Sequence, residues 1–310
     1  MKYVFLLLAA LFIFGLAVFM GAPFSFDTHD ESGQAVRSET EESALPEPLN
    51  IPFLTEVPEP NNPCSNISVP EEIQQKRSDL ADNIAVLEKR TEKVKDTISL
   101  SFELEKGSPD IRAVAFTIDT GTGGSYGITE LLDIAAYYKI PLTFFLTGCW
   151  VVENPELTQR IVRDGHSIAN HTLTHLNLAD VSDERARYEI EETDRIFRDV
   201  TGFTPFLFRK PQYAGGERIT TLAGTLGKIS IQGYPDFGDT TGWRSGSSKE
   251  GVLGRITKHT APGAIWVFHN LSSSDLSAFE DAARFHLQDG YKIVPVEELI
   301  IRLYGLDGER

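Results

Sequence analysis

Cysteine is scarce in this chain: Cys64 and Cys149 are the only two in 310 residues. That excludes a disulfide framework, and their spacing fits no zinc-binding pattern. A single bridge between them would suit an oxidising compartment. Nothing in the sequence pairs them, so two unpaired thiols are the expectation. Positive charge is also short, with 29 lysines and arginines against 45 aspartates and glutamates and a formal net charge of −16. Such a chain lacks the basic patch of a nucleic-acid binder and any charge-driven affinity for anionic lipid. The excess is concentrated. Residues 27–59 hold nine acids and one base, Arg37, so half of it sits there (1 − 9 = −8). Internal repeats are absent.

Long uncharged runs are missing too, except at the start. Residues 3–26 carry no charge over 24 positions, enough for a helix to cross a bilayer. The run exceeds the apolar core of a signal peptide, and Ala17, Gly21 and Ala22 make a poor cleavage pattern. An uncleaved transmembrane anchor is therefore favoured over a cleaved signal, which would leave the protein secreted. Lys2 favours an N-terminus left inside and everything after the run outside. Residues 27–70 are acidic and proline-rich, which suits an extended stalk or linker rather than a core. In residues 71–97, Ile73, Leu80, Leu87 and Val94 recur every seven positions. Lys76, Asn83 and Arg90 occupy the second core position, so the pattern predicts a helix lying against a domain rather than a coiled coil. Residues 98–104 alternate like a short strand.

From Ile111 the character changes. Strand-like segments at 114–118, 142–146, 167–170, 206–208, 229–233, 265–268 and 291–294 alternate with helical stretches such as 128–138, 154–164, 182–200 and 296–303. This is an α/β pattern, a parallel sheet covered by helices. About seven such units suit a closed or nearly closed barrel, in which chemistry collects at the C-terminal ends of the strands. The organisation expected is 1–26 anchor, 27–70 linker, 71–106 helix and short strand, and 107–310 folded domain.

Polar groups sit just after these strands: Asp119, then His171 and His175, then Arg209, then Asp236 and Asp239, then His269. The i, i+4 spacing of His171 and His175 would put both imidazoles on one side of a helical turn, within reach of one metal. Singly, Asp119 reads equally well as a cap, Arg209 as a salt-bridge partner and His269 as a core histidine. Together at one rim they make a candidate active site.

Several strings match one family in order. Phe116-Thr117-Ile118-Asp119-Thr120-Gly121, Asn170-His171-Thr172-Leu173-Thr174-His175, Phe208-Arg209-Lys210-Pro211 and Val267-Phe268-His269 resemble motifs one, two, three and five of the polysaccharide deacetylases with a NodB homology domain, carbohydrate esterase family 4. The resemblance implies a distorted (β/α) barrel that hydrolyses N-acetyl, sometimes O-acetyl, groups on a polysaccharide such as a peptidoglycan- or chitin-like N-acetylglucosamine glycan. It implies a divalent metal on His171 and His175, zinc first with cobalt or nickel as alternatives. That metal would activate water and polarise the acetyl carbonyl. Asp119 would be the general base and His269 the acid that protonates the leaving amine. Arg209 would orient Asp119. The backbone N–H of Gln212 or Tyr213 would hold the oxyanion. Val267 and Trp243 would contact substrate, Val267 at the acetyl methyl.

The departures are specific. The usual second aspartate of motif one, the third metal ligand, is Thr120, and a neutral hydroxyl is a poor zinc ligand. Motif three carries Gln212 ahead of Tyr213. The fourth motif usually ends in Asp-Trp with the aspartate supporting the arginine; here Gly242 precedes Trp243, and Asp236 or Asp239 would have to substitute. A non-catalytic glycan-binding homologue is the alternative these changes raise. The sequons at Asn66, Asn170 and Asn270 are read as accidental.

Overall fold

Strand β2 (Ala113–Asp119) is buried at all seven positions, as expected of a parallel strand covered on both faces. Its alternation separates two cores. Val114, Phe116 and Ile118 join the cluster under the helices, whereas Ala113 and Ala115 join the other, smaller-residue cluster. Thr117 and Asp119 share the face of those alanines by the two-residue period of a strand.

The computed structural model describes residues 64, 69–95, 103–121, 124–235, 238–270 and 272–306. The expected anchor, most of the linker, Thr122, Gly123 and Asp236 lie outside them. Among the described residues, no helix is long and apolar enough to cross a membrane. Residues 58–310 cluster as one unit.

The remaining strands are β1 (Glu103–Leu104), β3 (Thr143–Leu146), β4 (Ser167–Asn170), β5 (Leu207–Phe208), β6 (Ile229–Ile231), β7 (Ile265–His269) and β8 (Lys292–Ile293). They form one parallel sheet in the order β1-β6-β5-β4-β3-β2-β7, with β8 on the lower half of β2. Among the described residues, isolated bridges span the gap between β6 and β7, Tyr234 with Ile265 and Asp239 with Val267. The barrel is thus a half-barrel with a laced seam, which gives the expected distortion a physical form. Of the strand expected over 98–104, Glu103–Leu104 falls among the described residues and pairs with β6.

The helices are α1 (Glu71–Gln75), α2 (Ala81–Lys95), α3 (Ile128–Tyr138), α4 (Gly148–Glu153), α5 (Pro155–Arg163), α6 (Asp183–Thr201), α7 (Gly216–Thr225), α8 (Lys249–His259), α9 (Ser273–Gln288) and α10 (Val296–Leu303). The helix expected over 154–164 begins at Pro155, which suits a first helical turn, and α4 stands apart before it. Ile73, Leu80, Ile84, Leu87 and Val94 are all buried, so the N-terminal helices lie on the domain. Asn83 Nδ2 donates to the carbonyls of Val162 and Arg163 at 2.9 and 2.7 Å, serving orphan acceptors at the end of α5.

Cys64 and Cys149 form a disulfide, correcting the expectation of unpaired thiols. Their separation of 85 residues gave no local signal; the N-terminal helices pack on α5 and α6, which lie against α4, and the pair is brought together across the chain. Replacing both by serine should lower unfolding free energy by about 4 kcal/mol through the loop released in the unfolded chain. Urea denaturation measures this, and a loss below about 1 kcal/mol would show that the bridge does not constrain the fold.

Candidate active site at the C-terminal rim

Strand register sets the rim. Asp119 on β2 lies level with His269 on β7 and Phe145 on β3, and Asn170 on β4 lies level with Phe208 on β5. The residues after these positions surround a cleft of about 820 Å³ whose lining includes Asp119, His171, His175, Tyr213, Trp243 and His269.

Arg209 is fully buried. Its Nη1 donates to Asp119 Oδ1 at 2.5 Å and to Thr117 Oγ1 at 2.9 Å. Its Nε and Nη2 reach the carbonyls of Ile231 and Gln232 at 3.3 and 3.0 Å. The guanidinium stacks on the Phe145 ring at 3.8 Å. Burial alone would raise the Asp119 pKa, but Arg209, then His171 and His269, hold the carboxyl below its ordinary range. Asp119 is therefore an anion whose Oδ1 is committed and whose Oδ2 faces His171 Nε2 at 3.7 Å.

Burial pushes His171 down to about 4, so its imidazole is neutral. Its Nδ1 meets the Arg209 carbonyl at 2.9 Å, which assigns the proton to Nδ1 and the lone pair to Nε2 on the side of Asp119. His175 is likewise lowered, chiefly by burial. The two rings lie 5.0 Å apart between centroids. A helical turn is not what joins them. Residues 171–175 form a loop in which Thr172 and His175 adopt φ of 68° and 61°. Asn170 Oδ1 accepts from Thr172 N–H at 2.9 Å, Thr172 Oγ1 from His175 N–H at 3.1 Å, and Glu189 from Thr174 N–H at 2.8 Å. These bonds hold backbone geometry that is otherwise unfavourable. They also occupy Asn170, whose Nδ2 reaches Ile190 O and Asp194, in keeping with an accidental sequon.

The two imidazoles fit a divalent metal: both are held neutral, and His171 has its tautomer fixed by a backbone acceptor. Thr120 does not supply a third donor. Its hydroxyl is buried and accepts from Thr147 N–H at 3.1 Å. Among the described residues, no three histidine, cysteine, aspartate or glutamate side chains converge as a metal cage.

Other expectations resolve differently. Gln212 and Tyr213 both have left-handed φ, 55° and 56°. Tyr213 N–H is committed to Lys210 O at 3.0 Å, which leaves Gln212 as the oxyanion-donor candidate of the two. Val267 is buried in β7 and does not line the cleft; its carbonyl accepts from Thr240 N–H at 3.2 Å. Trp243 is 56% exposed at the mouth, a face for a sugar ring. Asp239 does not reach Arg209. It accepts from Thr241 N–H at 2.7 Å and from Trp243 Nε1 at 3.1 Å, bracing the rim loop.

Asp275 on α9 was missed. It lies outside every motif quoted, yet its Oδ2 accepts from His269 N–H at 2.9 Å and lies 3.4 Å from His269 Nδ1. The Ser-Ser-Ser-Asp run at 272–275 carries only the signature of a helix start. Burial opposes charge on His269, but the Asp275 carboxylate, then Asp119 and Asp239, raise its pKa above 6.5. The cleft therefore sets an ionised carboxylate beside a histidine whose protonated form the surrounding carboxylates favour.

The missing third donor yields an expected outcome. Thr120→Asp should tighten zinc binding by more than about tenfold, measured by competition with a chelating dye, and His171→Ala should abolish it. Equal affinity in wild type and Thr120→Asp would show that position 120 does not limit the site.

Residues 106–228 match the family model described as polysaccharide deacetylase. A peptidoglycan-N-acetylglucosamine deacetylase of Bacillus cereus is 28% identical over 192 residues, 61% of this chain and 88% of its own. The peptidoglycan-N-acetylmuramic acid deacetylase PdaA of Bacillus subtilis is 25% identical, over 63% of this chain and 73% of its own. Among solved structures, a Bacillus anthracis CE4 family pseudoenzyme, in a mutant with restored enzymatic activity, is similar at 26% identity and a TM-score of 0.60, covering 64% of this chain and 71% of that one.

Proposed function

We propose that this chain, which belongs to the polysaccharide deacetylase family of hydrolases acting on N-acetyl amide bonds, deacetylates an N-acetylglucosamine-containing glycan of the peptidoglycan type outside the membrane. The observation that carries this reading is the pairing at one cleft of Asp119 Oδ2 and His269, on register-matched positions of adjacent strands, with His171 and His175 beside them. The uncharged run at 3–26 supports a membrane tether. The buried disulfide supports an extracytoplasmic, oxidising location.

A divalent metal bound by His171 and His175 would supply Lewis-acid activation of water and of the acetyl carbonyl. Asp119 Oδ2 takes a proton from the attacking water, its other oxygen being held by Arg209. The water oxygen bonds to the carbonyl carbon, and Gln212 N–H steadies the charge that develops on the carbonyl oxygen. As the C–N bond breaks, His269 Nε2 gives its proton to the nitrogen, because Nδ1 faces Asp275. Acetate and a free amine leave. Trp243 offers the exposed face on which the sugar ring stacks.

A second reading, a glycan-binding homologue with impaired turnover, draws support from Thr120, whose hydroxyl is spent on Thr147 N–H. Acetate release from peptidoglycan and from N-acetylglucosamine oligomers, with and without added zinc or cobalt, separates the two. Tight glycan binding with no acetate under any metal would leave the binder.

The pH profile follows from the two shifts. His269 must be protonated and its pKa lies above 6.5, so activity falls only as pH rises through that raised value. Asp119 must be ionised and its pKa lies below 3.8, so the acid limb lies at lower pH still. Initial rates against pH should show a plateau reaching past 6.5; a maximum confined below 6 would remove His269 as the acid.

A further inference from the structure

Asp275 is fully buried at the third position of α9. A serine three residues before an acidic residue at a helix start suggests a capping box, with the acid returning to the serine N–H. Only half of that box is made. Ser272 Oγ accepts from Asp275 N–H at 3.0 Å, whereas Ser272 N–H goes to the His269 carbonyl at 3.0 Å. The Asp275 carboxylate is directed elsewhere. Oδ1 accepts from Thr240 Oγ1 at 2.5 Å, and Oδ2 accepts from His269 N–H and faces its Nδ1. A buried carboxylate with both oxygens on the rim loop and the β7 histidine serves the cleft more than its own helix.

Gly242 supplies the second observation. It does not have a positive φ, so its backbone conformation suits any residue. Space is what keeps it glycine: a Cβ there would run into Oδ1 and Cγ of Asp275 and crowd Ser272 Oγ. Position 242 is also where motif four would have placed an aspartate. A carboxylate branching from 242 and the carboxylate of Asp275 would claim the same volume.

We propose that Asp275 is the positioning residue of His269, and that it fills from α9 the one carboxylate place that position 242 could otherwise fill, so that the two are mutually exclusive. His269 is then held with Nδ1 toward Asp275 and Nε2 toward the cleft. The charged and titratable groups around it are Asp119 from β2, Asp239 from the rim loop, His175 from the loop after β4 and Asp275 from α9. Of these, Asp275 alone meets both its backbone N–H and its ring. The role of His269 as acid rests on the deacetylase reading; the Asp275–His269 contact does not.

The test therefore reads His269 directly. The ring is titrated by NMR in isotope-labelled protein and assigned through His269→Gln. Three variants are compared with wild type: Asp275→Asn, Gly242→Asp, and Asp275→Ser combined with Gly242→Asp. Asp275→Asn keeps the Thr240 bond and should lower the His269 midpoint by about one pH unit. Where wild type turns over, it should also reduce kcat by tenfold or more, roughly, with KM little changed. Gly242→Asp alone should lower the thermal midpoint, because two carboxylates collide. The combined variant should regain thermal stability and return the His269 midpoint toward wild type. An unchanged midpoint in Asp275→Asn overturns the positioning role, and an undisturbed Gly242→Asp protein overturns the exclusivity. Absence of acetate from wild type would count against the deacetylase reading, while the ring titration would still decide Asp275.

Discussion

The pair of Asp119 and Arg209 is the constraint on which the site depends. Both groups leave water on folding, and desolvation makes a buried ion pair costly unless every donor is matched. Here the guanidinium is matched on all sides by Asp119, Thr117, two carbonyls near β6 and the Phe145 ring. Removing one partner would strand the other charge, at about 3–5 kcal/mol. Arg209 also reaches the metal pair without using its charge, since its carbonyl fixes the tautomer of His171. One residue thus positions both Asp119 and His171.

Around this rigid centre the rim is built from unfavourable backbone. Thr172, His175, Gln212, Tyr213 and Thr241 all have left-handed φ, and all belong to the segments around the cleft. Such conformations persist only where neighbouring bonds over-determine them. The first amides of α4 contribute, with Gly148 N–H and Cys149 N–H donating to the carbonyls of Thr172 and Leu173 at 2.9 and 3.0 Å. The disulfide at Cys149 therefore ties the N-terminal extension to the helix whose amides hold the histidine loop. Glu103 on β1 makes a second tie, as the ion-pair partner of buried Lys210 at 3.0 Å. Cys64 and β1 are thus part of the scaffold of the site.

The sequence showed what depends on local pattern. β2 and α3 carry their own periodicity, and the groups following the strands did gather at one rim, because parallel strands share a direction and their ends share a level. It could not show what depends on packing across the chain. Cys64 and Cys149 had no local sign of pairing. The two histidines suggested a helical turn because i, i+4 is also a helical spacing, whereas two left-handed residues do the work in a loop. Asp275 was invisible because a serine three residues ahead of an acid explains itself as a helix cap. Val267 looked like a pocket residue from its motif; it shares the face of His269 but lies one step deeper in β7, where it is buried.

Thr120 bears on occupancy more directly than on the proton-transfer groups. Were a metal held by two imidazoles in place of three protein donors, its affinity would be lower and the fraction of molecules loaded would depend on ambient metal. The parts that move protons are unaffected by that loss. Asp119 remains an anion because Arg209 enforces it, and the carboxylates around His269 raise its pKa, neither of which requires a donor at 120. The donor set weakens the hold on metal while the acid–base pair stays intact. Enzyme and binder therefore differ here first in metal occupancy, at fixed arrangement of the protein groups, and the smallest change that moves the chain from one toward the other is at residue 120.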